Sequence, residues 1–210
     1  MKSFPYGVPA LAYLRPENPL YPPGVTKHLG KMKAAVISAL GNSGLLKQPK
    51  LGLFCSVRCR GALILRTYEF VKKIPLGKTV MVSGFHSPLE RQCLEVLLRR
   101  HIPVIMCPIR NLERMRLPPE WRLALAGERL LILSLFPARL RRSTRELAFQ
   151  RNRFVAALAD RVLIPYASAG GNTERFAREV REWGKPLLTF HGEGNEVLIG
   201  LGAEGIDGES

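Results

Sequence analysis

Cysteine is scarce in this sequence, with four in 210 residues. That is too few for a disulfide-stapled scaffold and points to a reduced, cytoplasmic protein. Long apolar runs are missing as well. The densest, Leu130–Phe136, falls far short of the roughly 20 residues that cross a bilayer, so no membrane segment is expected. The N-terminus carries one lysine and then a short apolar patch broken by Pro5, Pro9 and Pro16, unlike the continuous apolar stretch of a signal peptide. Aromatic residues make up only 8%, which argues against an extensive base-stacking surface.

Several chemical signatures are also absent. No GxGxxG or Walker A stretch occurs, and no G-x-S-x-G nucleophile turn. Cys55 and Cys59, with Cys93, Cys107 and His86 elsewhere, lack the C-x2-C spacing of common zinc sites. These cysteines are expected in the core or in loops, and no metal or other cofactor is expected. His28, His101 and His191 show no partner pattern. Acids are the scarcest charged class: 17 Asp and Glu face 32 Lys and Arg, a net charge of +15.

What is present is a globular composition, 46% hydrophobic and 23% charged, rich enough in apolar residues to offset chain entropy on folding. The length suits one domain with an appendage. The basic excess suggests a polyanionic or phosphate-bearing partner; a chain from an arginine-rich proteome is the plainer alternative. The charge is unevenly spread. Residues 1–192 hold all 32 basic residues against 12 acids, whereas the last 18 hold five acids and no base.

Six prolines between Pro5 and Pro23 leave little room for a helix there, and a short helix is expected over Thr26–Leu40, stopped at Gly41–Asn42. Residues 1–48 thus read as a Pro-rich, partly helical arm. From Pro49 the texture alternates. Six compact apolar runs, Leu51–Cys55, Thr79–Val82, Val104–Cys107, Leu130–Leu133, Val162–Ile164 and Leu187–Phe190, read as strands buried on both faces. Amphipathic stretches at Ala62–Lys73, Leu89–Arg100, Ser143–Ala159 and Thr173–Trp183 read as helices between them. This pattern predicts a doubly wound α/β domain with a mostly parallel sheet over residues 49–203, followed by an acidic tail at 204–210.

Ligands of such sheets sit beyond the carboxyl ends of the strands, and three strand-to-helix loops there combine small residues with hydroxyl or amide groups. They hold Ser56 and Arg58, Ser83 and Gly84, and Gly170, Gly171, Asn172 and Thr173. Backbone amides and helix N-termini in such loops can approach phosphate closely, although ordinary caps and turns use the same residues. The most informative stretch is Ala138–Asp160. Ser143 with Glu146 reads as a capping box starting a helix near Thr144. Arg139, Arg141, Arg142, Arg145, Arg151 and Arg153 oppose one acid, Glu146, and planar guanidinium groups suit phosphate. A solvated helix face would explain Arg139–Arg145 equally well. Arg151 and Asn152 lie mid-helix beside an apolar stripe of Leu147, Phe154, Val155 and Leu158. Glu174 reads either as a catalytic carboxylate or as a first-turn acid favoured by the helix dipole.

The block Phe149–Asp160 (FQRNRFVAALAD), the loop Ala169–Thr173 and the run Gly194–Ala203 give residues 40–203 a resemblance to the DNA-processing protein A (DprA/Smf) family, within the Rossmann-like group that includes the lonely-guy proteins. Phe149–Asp160 is similar to the family's F-x-x-RNRIIAGLSD block, and Ala169–Thr173 sits where it has an SGSLIT loop. Gly194-Asn195, Leu198-Ile199 and Gly202-Ala203 are similar to its closing G-x-N-x-LI-x-x-GA. Gly41-Asn42, Ser56-x-Arg58 and Ser83-Gly84-Phe85-His86 match its GN, GSR and SG-x-A-x-G-x-D elements in part. Cys55 replaces the first glycine of the GSR loop, and His86–Glu90 replaces an Ala-Arg-Gly-Ile-Asp stretch. The resemblance implies a compact, non-enzymatic homodimer that binds single-stranded DNA or a nucleotide and serves the recombinase RecA. In that reading Ser56, Arg58, Ser83, Gly84, Gly170, Gly171, Asn172, Thr173, Arg151 and Asn152 hold phosphate, and Arg139, Arg141, Arg142, Arg145 and Arg153 extend a DNA surface. The alternatives are a lonely-guy-type enzyme splitting nucleoside monophosphates, with Glu174 catalytic, or a nucleotide sensor without turnover.

Overall fold

The computed structural model describes residues 9–30, 35–56, 59–113, 115–137 and 144–207. Each of the six expected strands forms: β3 (Lys50–Leu53), β4 (Val80–Ser83), β5 (Val104–Met106), β6 (Leu130–Ser134), β7 (Arg161–Leu163) and β8 (Leu187–Phe190). All are parallel to their neighbours within this set. Strands β4, β5, β6 and β8 are buried at every residue, as expected of strands covered on both faces.

Three more strands join the same sheet: β1 (Ala12–Leu14), β2 (Ile37–Gly41) and β9 (Glu204–Ile206). The order is β1-β2-β6-β5-β4-β3-β7-β8-β9, with β2 antiparallel to both of its neighbours. The helix expected over Thr26–Leu40 does not form. Instead α1 spans Pro23–His28, with a proline in its first turn, and Ile37–Leu40 are buried strand residues, Ser38–Leu40 paired with β6. Proline is preorganised for a helix start, whereas the apolar run Val36–Leu40 packs better as a buried strand than as a helix end. Gly41 ends that strand with φ +115°, close under the Leu130 carbonyl.

Helices α2 (Gly61–Lys73), α3 (Pro88–Arg99), α5 (Arg145–Leu158) and α6 (Asn172–Glu182) fall where the pattern places them, and α4 (Pro119–Ala126) and α7 (Glu196–Gly200) are additional. Pro119 opens α4, where its missing N–H is no loss. The cap of α5 is Thr144, whose hydroxyl accepts from the Leu147 amide at 3.2 Å; Ser143 lies outside the described residues.

Two apolar cores flank the sheet. One gathers side chains of α1, α5, α6 and α7, with Phe154 and Phe176 fully buried, and the other those of α2, α3 and α4. The crossovers run one way from β3 to β6 and the other way from β7 to β9. That reversal makes the β3–β7 boundary the topological switch point, where open α/β sheets bind ligands. Among the described residues no helix is long and apolar enough to cross a membrane.

Candidate functional site

The three sequence-picked loops leave the carboxyl ends of β4, β3 and β7, which are adjacent in the sheet. Above them lies a cleft of about 660 Å³, within the range of small-ligand sites. Ser56, Asn172, Thr173, Arg145, Arg151, Asn152 and Arg153 all line it. Arg58, Arg139, Arg141 and Arg142 lie outside the described residues.

Arg151 is the most unusual member, because it is a mid-helix arginine only 5% exposed. It arises at the face of α5 that packs on β3 and β4. Its guanidinium passes directly over Gly84, so closely that a methyl group there would overlap it. Glycine is the only residue that leaves this path open. Arg151 Nε donates to Asn152 Oδ1 at 2.8 Å. Burial pulls the guanidinium below its ordinary value, opposed by the charge of Glu90, and it stays protonated at neutral pH.

Ser83, Gly84, Gly170 and Gly171 do not themselves line the cleft; they shape the turns beside it. Ser83 is buried, and its hydroxyl accepts from the Phe85 amide at 3.1 Å, which fixes the turn in which Phe85 takes φ +47°. A buried aromatic in the left-handed region is strained and needs such support. Gly170 takes φ +69°, and Gly171 is the N-cap of α6. Among the described residues no side chain caps α6, which leaves its first-turn amides beside Asn172 and Thr173 without a capping acceptor.

Glu90 is the organiser that reading the sequence for site residues misses. One carboxylate oxygen accepts from the Cys55 amide at 2.9 Å, and the other from His86 and Ser87 at 2.7 and 3.3 Å. It therefore ties the β3 loop to the β4 loop across the sheet edge. The signal was available: Ser87-Pro88-Leu89-Glu90 is a capping box, and this box also reaches a neighbouring strand. Glu146, His86, Arg175 and the rings of Phe54, Phe149 and Phe176 also line the cleft. Phe54 and Phe176 stand 4.6 Å apart, and Arg175 lies over Phe149 at 5.7 Å.

Two charged candidates are already engaged. Arg153 Nε pairs with Glu179 at 2.6 Å and its guanidinium lies over Trp183. Glu174 is turned from the cleft: it accepts from the Gly170 amide at 2.7 Å and from Arg178. The Arg178 guanidinium and that amide hold its carboxyl below its ordinary value. It thus clamps the Gly170–Gly171 turn. Among the described residues, no group of three or more His, Cys, Asp or Glu side chains could hold a metal ion.

No family model and no curated protein matches this sequence. Solved structures do match in fold. The structure of DNA processing protein A from Streptococcus pneumoniae superposes with a TM-score of 0.77 at 20% identity, over 93% of this chain and 71% of that one. That of DNA processing protein A from Helicobacter pylori, described for its single-stranded DNA binding mode, gives 0.67 at 24% identity over 81% of each chain. The α/β, mostly parallel Rossmann-like sheet is therefore the fold seen in DprA structures.

Proposed function

We propose that this chain is a DprA-like protein that binds single-stranded DNA, or the phosphate of a nucleotide, at the cleft above β3, β4 and β7, without catalysis. One observation carries the reading. Arg145, Arg151 and Arg175 line a single cleft at the switch point, and none of them pairs with a carboxylate among the described residues. Unpaired guanidinium groups beside an uncapped helix N-terminus form an anion site. The fold likeness to DprA structures and the sequence blocks around Arg151 and Asn195 support the nucleic-acid reading over a small-anion one. Arg139, Arg141 and Arg142 would carry the basic surface onward. The same family reading carries with it a homodimer, RecA as partner and a cytoplasmic setting.

The test is anisotropy of a labelled oligothymidylate titrated over a range of salt. Binding by the intact protein should weaken with salt, and each phosphate contact removed should lower the slope of log K against log salt by about 0.7. Arg145→Ala with Arg175→Ala should weaken binding and flatten the slope. Unchanged affinity and slope would remove this cleft as the DNA site.

A further inference from the structure

Arg151 is only 5% exposed as a residue, yet among the described residues most of its hydrogen-bonding capacity has no protein partner. Only its Nε finds an acceptor, Asn152 Oδ1; among the described residues, none bonds its two terminal nitrogens. Glu90, whose charge reaches it, already has both oxygens engaged by backbone amides. The terminal nitrogens meet the cleft rather than a protein acceptor, so an anion seated there would complete a guanidinium that is already largely withdrawn from bulk water. The fork borders the cleft, and so do Asn172 and Thr173 of the uncapped first turn of α6. Arg145 and Arg175 stand exposed at the rim. Donors thus run from a buried floor to an open mouth on one side of the sheet edge.

Depth discriminates between kinds of phosphate. A phosphate inside a strand is flanked by two sugars, and reaching a buried floor would drag both neighbours into the cleft. A terminal phosphate brings one neighbour and presents three oxygens to the donors. From this we infer that the cleft is built for a terminal phosphate, a phosphomonoester, seated on the Arg151 fork and the first turn of α6, with Arg145 and Arg175 closing over it. The inference rests on the proposed nucleic-acid or nucleotide function of the same cleft. The phosphomonoester is either the 5′ end of a DNA strand or a free nucleoside monophosphate.

The experiment compares 5′-phosphorylated with 5′-hydroxyl oligothymidylate of the same length on the intact protein, with dTMP as competitor and as a thermal-shift ligand. A preference of about tenfold or more for the phosphorylated strand, with little effect of dTMP, identifies a strand end. A thermal shift and competition by dTMP, with equal binding of the two strands, identifies the free nucleotide. Either result supports the inference. Equal binding of both strands with no response to dTMP overturns it and leaves strand binding standing. Absence of binding by either strand and by dTMP overturns the proposed function as well. Arg175→Gln, at the exposed rim, should erase the preference while the protein stays folded. Arg151→Lys, which keeps the charge and loses the fork, should do the same if it folds.

Discussion

The Arg151 guanidinium lies across Gly84, occupying the space where any larger residue would place its side chain. Two short sequence elements 67 positions apart are thereby one structural unit. Gly84→Ala should therefore push the guanidinium aside: because the displaced atoms are the end of a flexible side chain, the loss of stability should sit at the low end of about 1–3 kcal/mol, measurable by urea denaturation, while strand binding weakens more. The penalty should shrink in combination with Arg151→Ala, because the clash disappears with its partner. Strictly additive effects would show that the two residues do not share this contact.

Glu90 joins the β3 and β4 loops through three amides, so Glu90→Gln sets an NH₂ group against backbone N–H donors. We expect a loss of about 1–3 kcal/mol and faster hydrogen exchange at the amides of Cys55, His86 and Ser87. Protection unchanged at those three amides would refute the tie.

The buried thiols set a base limit on stability. Burial pushes Cys107 up and Cys93 up to about 12, from an ordinary 9.0. Between those values the unfolded chain has released protons that the folded chain retains. The stabilisation is thus full below about pH 9 and is lost as pH rises toward 12. Urea midpoints measured near pH 8 and near pH 10 should fall for the natural protein, and fall less for Cys93→Ala.

Glu174 behaves oppositely. Its carboxyl is held below the ordinary 4.5 by Arg178 and the Gly170 amide, so its stabilisation is present above that value and is lost as pH falls through the lower, folded one. Glu174→Gln should flatten the acid limb of the stability profile and leave strand binding intact. Incubation of the natural protein with AMP should release no free base; release that Glu174→Gln abolishes would establish the nucleosidase alternative instead.

The six central strands and four of the helices were legible because burial on both sheet faces imposes apolar runs, and amphipathic spacing marks what covers them. Strand β2 was not: Ile37–Leu40 carries the same apolar signal a helix end could carry, and only pairing with β6 distinguishes the two. Arg151 stands out in the sequence as a charge beside an apolar stripe, whereas the role of Glu90 is not legible there because its partner Cys55 lies 35 residues away.

By itself the sequence determined the α/β class, the three glycine- and serine-bearing loops, the excess of arginine and its concentration beside one helix. Those follow from local pattern and composition, which act over a few residues. The tertiary structure decided which of those arginines are available. It paired Arg153 with Glu179 and clamped Glu174 onto Arg178, while it buried Arg151 over Gly84 with its fork toward the cleft. Charge is set by residue type, but whether a charge is free to meet a ligand depends on what the fold brings within reach of it.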